Sequence, residues 1–437
     1  MGKGRRSRWT RLDNAAKIFP CTTKNQDTKV FRFACELKED VKEENLQKAL
    51  DMTLKEFPFF EVVLRRGLFW YYFEDSKRKA VVHMENRPPC GPLYDVNKKG
   101  LLFEVTYYKK RINLEVYHAL TDGTGALNFL RTLVYHYLII TYREELKDLP
   151  ALDYDASSTQ RMDDSFNRYY DSRRERHEIK EEKEEPKWKG RKLKDHPNAH
   201  HIRGLKLPDY RIKVIRGTLS VDELKKAVKT YHTTLTVFLT ALIISAIGEL
   251  MTVWEKRHLV GVVVPVNLRQ YFKSESARNF FGTIDVWYDF DQCSGEFEDI
   301  IEQVQRCFQS ELTPEKMEER LYQLGSLERN PAARIVPLVI KDFFMKLGYE
   351  LTDRKYTFSM SNIGPVSMPK EFEKYIHLFD VFISTRKCQA CLCSYHGKLT
   401  VSFTSPFISA ELEKIFFRKL TSLGVSVEIA TNHYEED

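Results

Sequence analysis

The chain has 437 residues, of which 42% are hydrophobic and 13% aromatic, which is enough for two packed domains or one large two-lobed domain. Much of its formal charge of +7 comes from a short basic terminus, where no acidic residue accompanies Lys3, Arg5, Arg6, Arg8 and Arg11. The rest of the chain is close to neutral, which argues against a nucleic-acid-binding face.

The basic terminus, residues 1–11, is expected to be a solvated, disordered tail, with peripheral contact to anionic lipid as the alternative. The first residues lack the apolar core of a signal peptide. The most apolar stretch, Leu235 to Ile247, is shorter than the ~18 residues of a membrane-spanning helix and therefore predicts a buried helix. Eight mostly isolated cysteines fit no disulfide framework and favour a reducing, cytoplasmic location.

Residues 12–150 predict an N-terminal lobe in which a sheet packs against helices. The alternation of apolar and polar residues predicts strands at 29–37, 60–65, 68–73, 101–108 and 112–117. Leucines at helical spacing predict an amphipathic helix at 45–57 and a core-facing helix at 126–140.

The last strand of this lobe ends at His118, and Asp122 and Gly123 follow four and five residues later, where the next helix opens. The residues between Thr121 and Gly125 are turn formers that also cap helices. An imidazole with an unperturbed pKa of about 6.5 can take a proton from a hydroxyl group at neutral pH, so His118 is a candidate general base. The alternative is a core histidine followed by a helix cap at Asp122.

Residues 151–205 predict an exposed connection between two lobes. Eight acidic and ten basic residues crowd into 171–195 with only scattered apolar side chains, which is a poor composition for a core. A specific docking surface in this segment is the alternative.

Residues 206–437 predict a C-terminal lobe of similar construction. We expect strands at 210–219, 259–266, 282–290, 356–360, 379–384, 389–395 and 399–404. We expect helices at 221–231, from 235, across 297–347 and at 410–423, the first of them capped by Ser220 with Glu223 at the capping-box position. Largely hairpin-built mixed sheets with helices on their outer faces predict an α/β (α+β) two-lobed sandwich.

The spacing of Cys388, Cys391, Cys393 and His396 could supply zinc ligands. The segment has strand character, however, so alternation would place Cys391 and Cys393 on one face and His396 on the other. We therefore predict buried strand cysteines and no metal site.

Three stretches follow one another along the chain: His118, Asp122 and Gly123; Val264 to Arg269 with Asn279 to Gly282; and Ser359 to Pro365. Together they resemble blocks of the acyltransferase superfamily with the chloramphenicol-acetyltransferase-like fold. That superfamily includes condensation domains, BAHD acyltransferases, wax ester synthases and alcohol acetyltransferases. The likeness spans residues 12–425 and is closest to the alcohol acetyltransferase-like branch, whose typical opening Leu12 to Pro20 also fits.

The resemblance implies two similar lobes with the active site in a tunnel between them. It implies acyl-CoA as cosubstrate, a small alcohol or, less favoured, an amine as acceptor, and no metal or redox cofactor. The family's histidine maps onto His118 as general base. Its aspartate maps onto Asp122, which fixes the loop by pairing with an arginine, and Arg269 is the first candidate partner and Arg65 the second.

Other site residues follow from the same resemblance. Ser361 and Asn362 are oxyanion-donor candidates, with loop stabilisation as the alternative. Asn267 and Arg269 are expected to shape the site, and Gly123 to serve the backbone geometry. Condensation domains carry a second histidine where Tyr117 stands, which favours a CoA donor. Two alternatives stay open: a carrier-protein-dependent condensation-type enzyme, and a catalytically silent relative that only binds a ligand.

Overall fold

The computed structural model describes residues 9–146, 198–272, 277–320 and 335–432. Residues 1–8 of the predicted tail and 151–197 of the predicted connection lie outside the described residues. The architecture is a mixed α/β sandwich of two lobes, which confirms the predicted fold class.

The first lobe contains most of the elements up to residue 146. They are β1 (Trp9–Arg11), α1 (Ile18–Thr22), β2 (Val30–Leu37), α2 (Glu43–Glu56), β3 (Val62–Arg66), β4 (Tyr71–Asp75), β5 (His83–Met84), β6 (Phe103–Tyr108), β7 (Arg111–Tyr117), α3 (Gly123–Thr141) and α4 (Arg143–Leu146). Helix α3 begins at Gly123, is capped by the side chain of Asp122, and packs against α2 in the core of this lobe.

The second half of the chain supplies the remaining elements. They are β8 (Lys213–Ser220), α5 (Val221–Thr230), α6 (Leu235–Leu250), β9 (Val260–Asn267), β10 (Phe281–Tyr288), α7 (Phe297–Glu311), α8 (Leu338–Asp353), β11 (Phe358–Pro365), β12 (Ile376–Ile383), β13 (Gln389–Tyr395), β14 (Lys398–Ser405), α9 (Glu411–Ser422) and β15 (Val427–Thr431).

Two large sheets carry the lobes. The first has the order β12-β2-β7-β6-β5 and the second the order β10-β9-β11-β13-β14-β8-β15, while β1-β4-β3 form a small third sheet. Most pairs are antiparallel, but β11 runs parallel to both of its neighbours. The sheets are therefore mixed, as expected for strands joined partly by hairpins and partly by helical crossovers.

The lobes do not follow the boundaries that the sequence predicts. Strand β12, from the predicted C-terminal lobe, pairs antiparallel with β2 and completes the sheet of the first lobe, with Phe379 opposite Cys35. Residues 9–11, predicted as disordered tail, form β1 and pair with β4. Both pairings join strands far apart in sequence, so local patterning does not reveal them.

Helix α6 is the core of the second lobe. Twelve of its 16 residues are buried, which fits a helix that is apolar on all sides. Within the described residues no single helix is long and apolar enough to cross a membrane, and α5 with α6 meets that criterion only as a pair bent by 78°.

The cap of α5 is confirmed in part. The Ser220 hydroxyl accepts a hydrogen bond from the backbone N–H of Glu223 at 3.4 Å. The Glu223 carboxylate, however, accepts from the backbone N–H of Ser426 at 2.8 Å. A tertiary contact thus takes the side chain that a capping box would use locally.

Two of the clustered cysteines, Cys391 and Cys393, lie buried in β13. Burial raises the pKa of the Cys391 thiol to about 12, so this thiol stays protonated at neutral pH. His396 lies in the following turn, where Nδ1 is 3.1 Å from Glu373 Oε1. In the part of the chain that the structure describes, no three His, Cys, Asp or Glu side chains are arranged to hold a metal ion.

Candidate active site

A cavity of about 580 Å³ lies where the two lobes meet. The first lobe lines it with side chains that include Phe19, Lys29 and His118, and the second half of the chain with side chains that include Phe281 and Ser361. His118 thus faces a space large enough for a ligand, in line with the predicted strand-to-helix corner.

His118 is fixed at the end of β7 by backbone and ring contacts. Its backbone N–H donates to the carbonyl of Lys29 at 2.8 Å. Its ring stacks on Phe19 with 4.4 Å between the centroids and meets the edge of Phe31 at 5.1 Å. These aromatic walls leave the imidazole little freedom to turn.

The proton on His118 is placed by a chain of hydrogen bonds that leads away from the cavity. His118 Nδ1 lies 3.1 Å from Asn279 Oδ1. The side-chain and backbone N–H groups of Asn279 both donate to the Asp13 carboxylate at 3.3 Å. An ionised carboxylate only accepts, so the amide must turn its NH₂ to Asp13 and its oxygen to His118. Nδ1 therefore carries the hydrogen, and Nε2 keeps its lone pair.

The setting also keeps the imidazole neutral. Burial lowers the pKa of His118 from its ordinary value of 6.5, against the opposing influence of the Asp122 carboxylate. A histidine in this state accepts a proton at Nε2 at neutral pH, which is the capacity that a general base needs.

Asp122 uses one carboxylate oxygen to cap α3 and the other to join the lobes. Oδ1 accepts from the backbone N–H of Gly125 at 3.0 Å and so caps α3. Oδ2 accepts from Arg269 Nη1 at 2.7 Å and from the backbone N–H of Phe280 at 2.9 Å. The other candidate partner, Arg65, pairs with Glu74 instead. Asp122 is thus both a helix cap and one half of a buried ion pair.

Two glycines allow the close approach of this corner to the second lobe. A side chain at Gly125 would place its Cβ 2.0 Å from the carbonyl oxygen of Ala277, and one at Gly123 would lie 2.8 Å from Ile363 Cδ1. At Gly125 the clash would be with backbone, so the helix can begin against the opposite lobe only because this position lacks a Cβ. At Gly123 the end of the Ile363 side chain would have to move.

Asn267 connects the same loops. Its amide donates to the Thr124 hydroxyl at 3.3 Å, and its oxygen accepts from the backbone N–H of Arg269 at 3.0 Å. Both Asn267 and Arg269 line the cavity, with their polar groups engaged in holding the corner.

The two oxyanion candidates differ in their contacts. Asn362 donates to the Thr236 hydroxyl at 3.0 Å and accepts from the backbone N–H of Gly364 at 2.9 Å, so its amide stabilises the strand end. Ser361 lies one residue earlier on β11 and also lines the cavity. The hydrogen bonds of the Asn362 amide thus stabilise the end of β11, as the loop-stabilising alternative requires.

Tyr117 lies on the opposite side of β7 from His118, as strand alternation requires. Its ring is fully buried and stacks on Tyr94 at 5.2 Å, and its hydroxyl lies 2.8 Å from that of Thr23. It fills the core of the first lobe and is not among the described residues that line the cavity, so the expected site-shaping contact is absent there.

Cations surround one side of the cavity. Burial opposes a charge on Lys29, but Asp27 and Tyr349 outweigh it and raise the pKa of the ammonium. Arg386 and Lys387 line the same cavity. A second cavity of about 310 Å³ shares those two residues and adds the basic side chains His201, Arg203 and Lys206. Asp27 pairs with Lys29, and Asp353 pairs with Arg386 and Lys387, so part of this positive charge is balanced in the cavity wall. Lysine and arginine still outnumber aspartate among the residues that line the two cavities, which suits an anionic ligand.

Sequence reasoning gave no role to Asp13, Lys29 or Asn279. Asp13 and Asn279 both lie in stretches that resemble family blocks, and that position is the sequence feature from which a role in the site could have been predicted. Lys29 directly precedes β2 with a positive φ of 56°, a backbone feature that the sequence does not reveal.

Residues 179–396, about half of the chain, match the model of the alcohol acetyltransferase family. No curated protein sequence matches the chain significantly.

Several solved structures share the fold. The trichothecene 15-O-acetyltransferase TRI3 of Fusarium sporotrichioides is 13% identical, with 97% of this chain and 96% of that chain covered and a TM-score of 0.60. TRI101 of F. graminearum, complexed with ethyl coenzyme A, is 10% identical over 97% and 100%, with a TM-score of 0.63. The starter condensation domain of rhizomide synthetase RzmA is 13% identical over 96% and 97%, with a TM-score of 0.57.

Proposed function

The chain belongs to the alcohol acetyltransferase family, and on that premise we propose that it transfers an acyl group from acyl-CoA to an alcohol in the cavity at His118. The observation that carries the proposal is the hydrogen-bond chain from Asp13 through Asn279, which leaves the Nε2 lone pair of His118 as the proton acceptor. Acetyl is the favoured acyl group, and an amine acceptor is the less favoured variant.

The reaction needs one base and no covalent enzyme intermediate. His118 Nε2 takes the hydroxyl proton while the acceptor oxygen attacks the thioester carbonyl carbon. The tetrahedral intermediate then collapses as the carbon–sulfur bond breaks, and the protonated imidazole returns its proton to the leaving thiolate. The products are the ester and free CoA, and His118 is again neutral. Holding both substrates in one cavity supplies the proximity that this direct transfer needs.

Ser361 is the oxyanion donor in this scheme. The tetrahedral intermediate carries a negative oxygen that is stabilised by preplaced donors. Ser361 and Asn362 both line the cavity, but the amide of Asn362 is already hydrogen-bonded to Thr236 and Gly364. Asp122 and Arg269 hold the corner in place.

The basic side of the cavity receives the phosphates of CoA. Arg386 and Lys387 border both cavities, so a cosubstrate that enters through the second cavity passes them on the way to His118. Charge complementarity favours this side for a ligand with several phosphate charges. TRI101, a protein similar in fold, has been solved with CoA and T-2 mycotoxin together, which supports a CoA donor here.

A carrier-protein-dependent condensation reaction is the second candidate, since condensation domains share the fold. A silent binding relative is the third. The experiment that separates them incubates the protein with acetyl-CoA, carrier-bound acetyl thioester and a panel of alcohols and amines, and follows release of free thiol.

We expect thiol release from acetyl-CoA with at least one alcohol, and a loss of about 10²- to 10⁴-fold in His118→Ala. The matched control is His258→Ala, because His258 is exposed and lies outside the cavity lining. Turnover that survives His118→Ala would reject the base assignment. Turnover with the carrier-bound donor alone would favour the condensation reaction, and none with any donor would favour the binding relative.

A further inference from the structure

Helix α8 turns its apolar side away from the protein. Phe343 and Phe344 are 64% and 63% exposed, whereas Leu338 is the one residue of this helix that is buried. The exposed apolar face of α8 consists of Val339, Ile340, Phe343, Phe344, Leu347 and Leu351. These positions share one side of a helix, so the helix presents a continuous apolar stripe to solvent.

The opposite side of α8 faces the protein through polar groups. Asp342 accepts a hydrogen bond from the Tyr71 hydroxyl at 2.8 Å and pairs with Arg66 at 3.4 Å. Asp353, at the end of the helix, accepts from Arg386 at 3.0 Å. Glu350 lies between Val339 and Phe343 on a helical wheel, within the stripe, and its charge is balanced there by Lys24 and Arg386. A surface helix usually turns its apolar side to the core, whereas α8 turns its polar side to the protein and its apolar side to solvent. The acidic side chains of α8 are neutralised by partners from other elements.

Cations border the exposed apolar face. On a helical wheel Lys341 lies at one edge of the stripe and Lys346 at the other. Lys341 also lies 4.8 Å above the ring of Trp70, a partly exposed aromatic side chain beside the start of the helix. An apolar stripe with lysines at both edges and a nearby tryptophan is the pattern of a helix that lies in a membrane interface.

The basic N-terminus joins the fold at the same place. Arg11, the last residue of β1, lies 5.4 Å from the ring of Trp70, the ring that Lys341 also covers. Each cation near an anionic membrane strengthens binding about fivefold, so Arg11, Lys341 and Lys346 favour anionic phospholipid.

We propose that the exposed apolar face of α8 docks the protein on an anionic lipid membrane. A second copy packed on the same face would bring the bordering lysines of two chains together, so charge favours lipid over self-association. Tyr349 and Thr352 of the same helix line the cavity at His118. If the acyl transfer proposed above is correct, docking brings the cavity next to the lipid phase, where apolar acceptors partition.

The test is co-sedimentation of the full chain with phosphatidylcholine vesicles, with and without phosphatidylserine. We expect binding that requires phosphatidylserine and weakens with salt. The variant Phe343→Ser with Phe344→Ser should weaken it about tenfold or more. Lys346→Glu should weaken it about fivefold or more.

A matched control is Val253→Ser with Trp254→Ser, which removes two apolar side chains that are 81% and 71% exposed outside α8. It should bind vesicles as the unaltered chain does. Circular dichroism verifies that all variants are folded. Thiol release with a water-soluble alcohol should be equal in all of them, which separates failure of docking from failure of acyl transfer.

Three results would overturn the proposal. The first is no vesicle binding by the full chain at low salt. The second is binding that the Phe343→Ser, Phe344→Ser variant leaves unchanged, including binding that depends on residues 1–8 alone. The third is a concentration-dependent dimer in analytical ultracentrifugation that this variant abolishes while vesicle binding is absent, which would assign the face to a second copy.

Discussion

Two carboxylates lie behind the active-site corner, and they do different work. Asp122 belongs to the His-x-x-x-Asp-Gly signature, yet its oxygens are bound to Gly125, Arg269 and Phe280. Asp13 has no place in that signature, yet it fixes the amide that holds His118. The signature aspartate therefore builds the corner, while Asp13, more than 100 residues earlier, orients the base.

The largest effect is expected from breaking the Asp122 side. Arg269→Ala leaves the buried Asp122 carboxylate without its charged partner, which costs about 3–5 kcal/mol of unfolding free energy. Activity should fall with it, because the corner loses its tie to the second lobe. Urea denaturation followed by circular dichroism measures the loss.

The control for that prediction is Arg65→Ala. Arg65 and Glu74 are each about one-third exposed, so this ion pair should contribute less than about 1 kcal/mol. Equal losses in the two variants would show that the Asp122–Arg269 pair does not hold the corner.

The next largest effect is expected from breaking the hydrogen-bond chain from Asp13 through Asn279 to His118, and it should lower the rate of catalysis. Asn279→Ala removes the acceptor that fixes the Nδ1 hydrogen of His118, and kcat should fall about 10²-fold while KM stays nearly unchanged. Steady-state kinetics measure the split. A variant that changes KM alone would mean that Asn279 contacts substrate and does not position the base.

A smaller effect is expected at Asp13 itself. Asp13→Asn can keep the cap on the backbone N–H of Ala16, now 2.7 Å from Oδ1, but no longer forces the Asn279 amide into one orientation. We expect kcat to fall about tenfold, and the free energy of unfolding to fall by about 1–3 kcal/mol because the buried backbone N–H of Asn279 then faces an amide NH₂ group. Asp13→Ala should lose more stability, since it also removes the cap. A kcat equal to that of the unaltered chain in Asp13→Asn would refute the orienting role.

The smallest effect is a displaced pH profile. Burial lowers the pKa of His118, so the imidazole stays neutral at pH values somewhat below the ordinary histidine pKa of 6.5. The acidic limb of kcat/KM should therefore lie below pH 6.5. The unfolded chain binds this proton more readily than the native one, so the contribution of His118 to stability is also lost as pH falls below 6.5. An acidic limb above pH 6.5 would contradict the assignment.

The sequence predicted much of the fold because its strongest patterns are local. Helix α2, the hairpin of β6 and β7, and helix α6 lie within a few residues of the predicted ranges. The edge strands β1, β5 and β15 were not predicted. β15 has an almost wholly exposed pattern, so its pairing partner and not its composition makes it a strand.

Two further misses have definite causes. Strand β11 extends to Pro365, five residues beyond the predicted end, because a register shift between Asn362 and Gly364 lets polar residues continue the pairing. Helix α8 continues past the predicted end at residue 347 as far as Asp353, because Gly348 lies inside the helix without terminating it. The direction in which α8 turns its apolar side depends on its ion pairs with other elements, and those are fixed only in the folded chain.

The placement of β12 sets an order on synthesis. Until residues 376–383 leave the ribosome, one edge of β2 has no strand to pair with. The first sheet therefore stays incomplete although its other strands were made long before. An unpaired edge invites other chains to pair with it. We therefore expect fragments that end near residue 150 to aggregate, and the first sheet to be protected from such pairing only after residues 376–383 have been made.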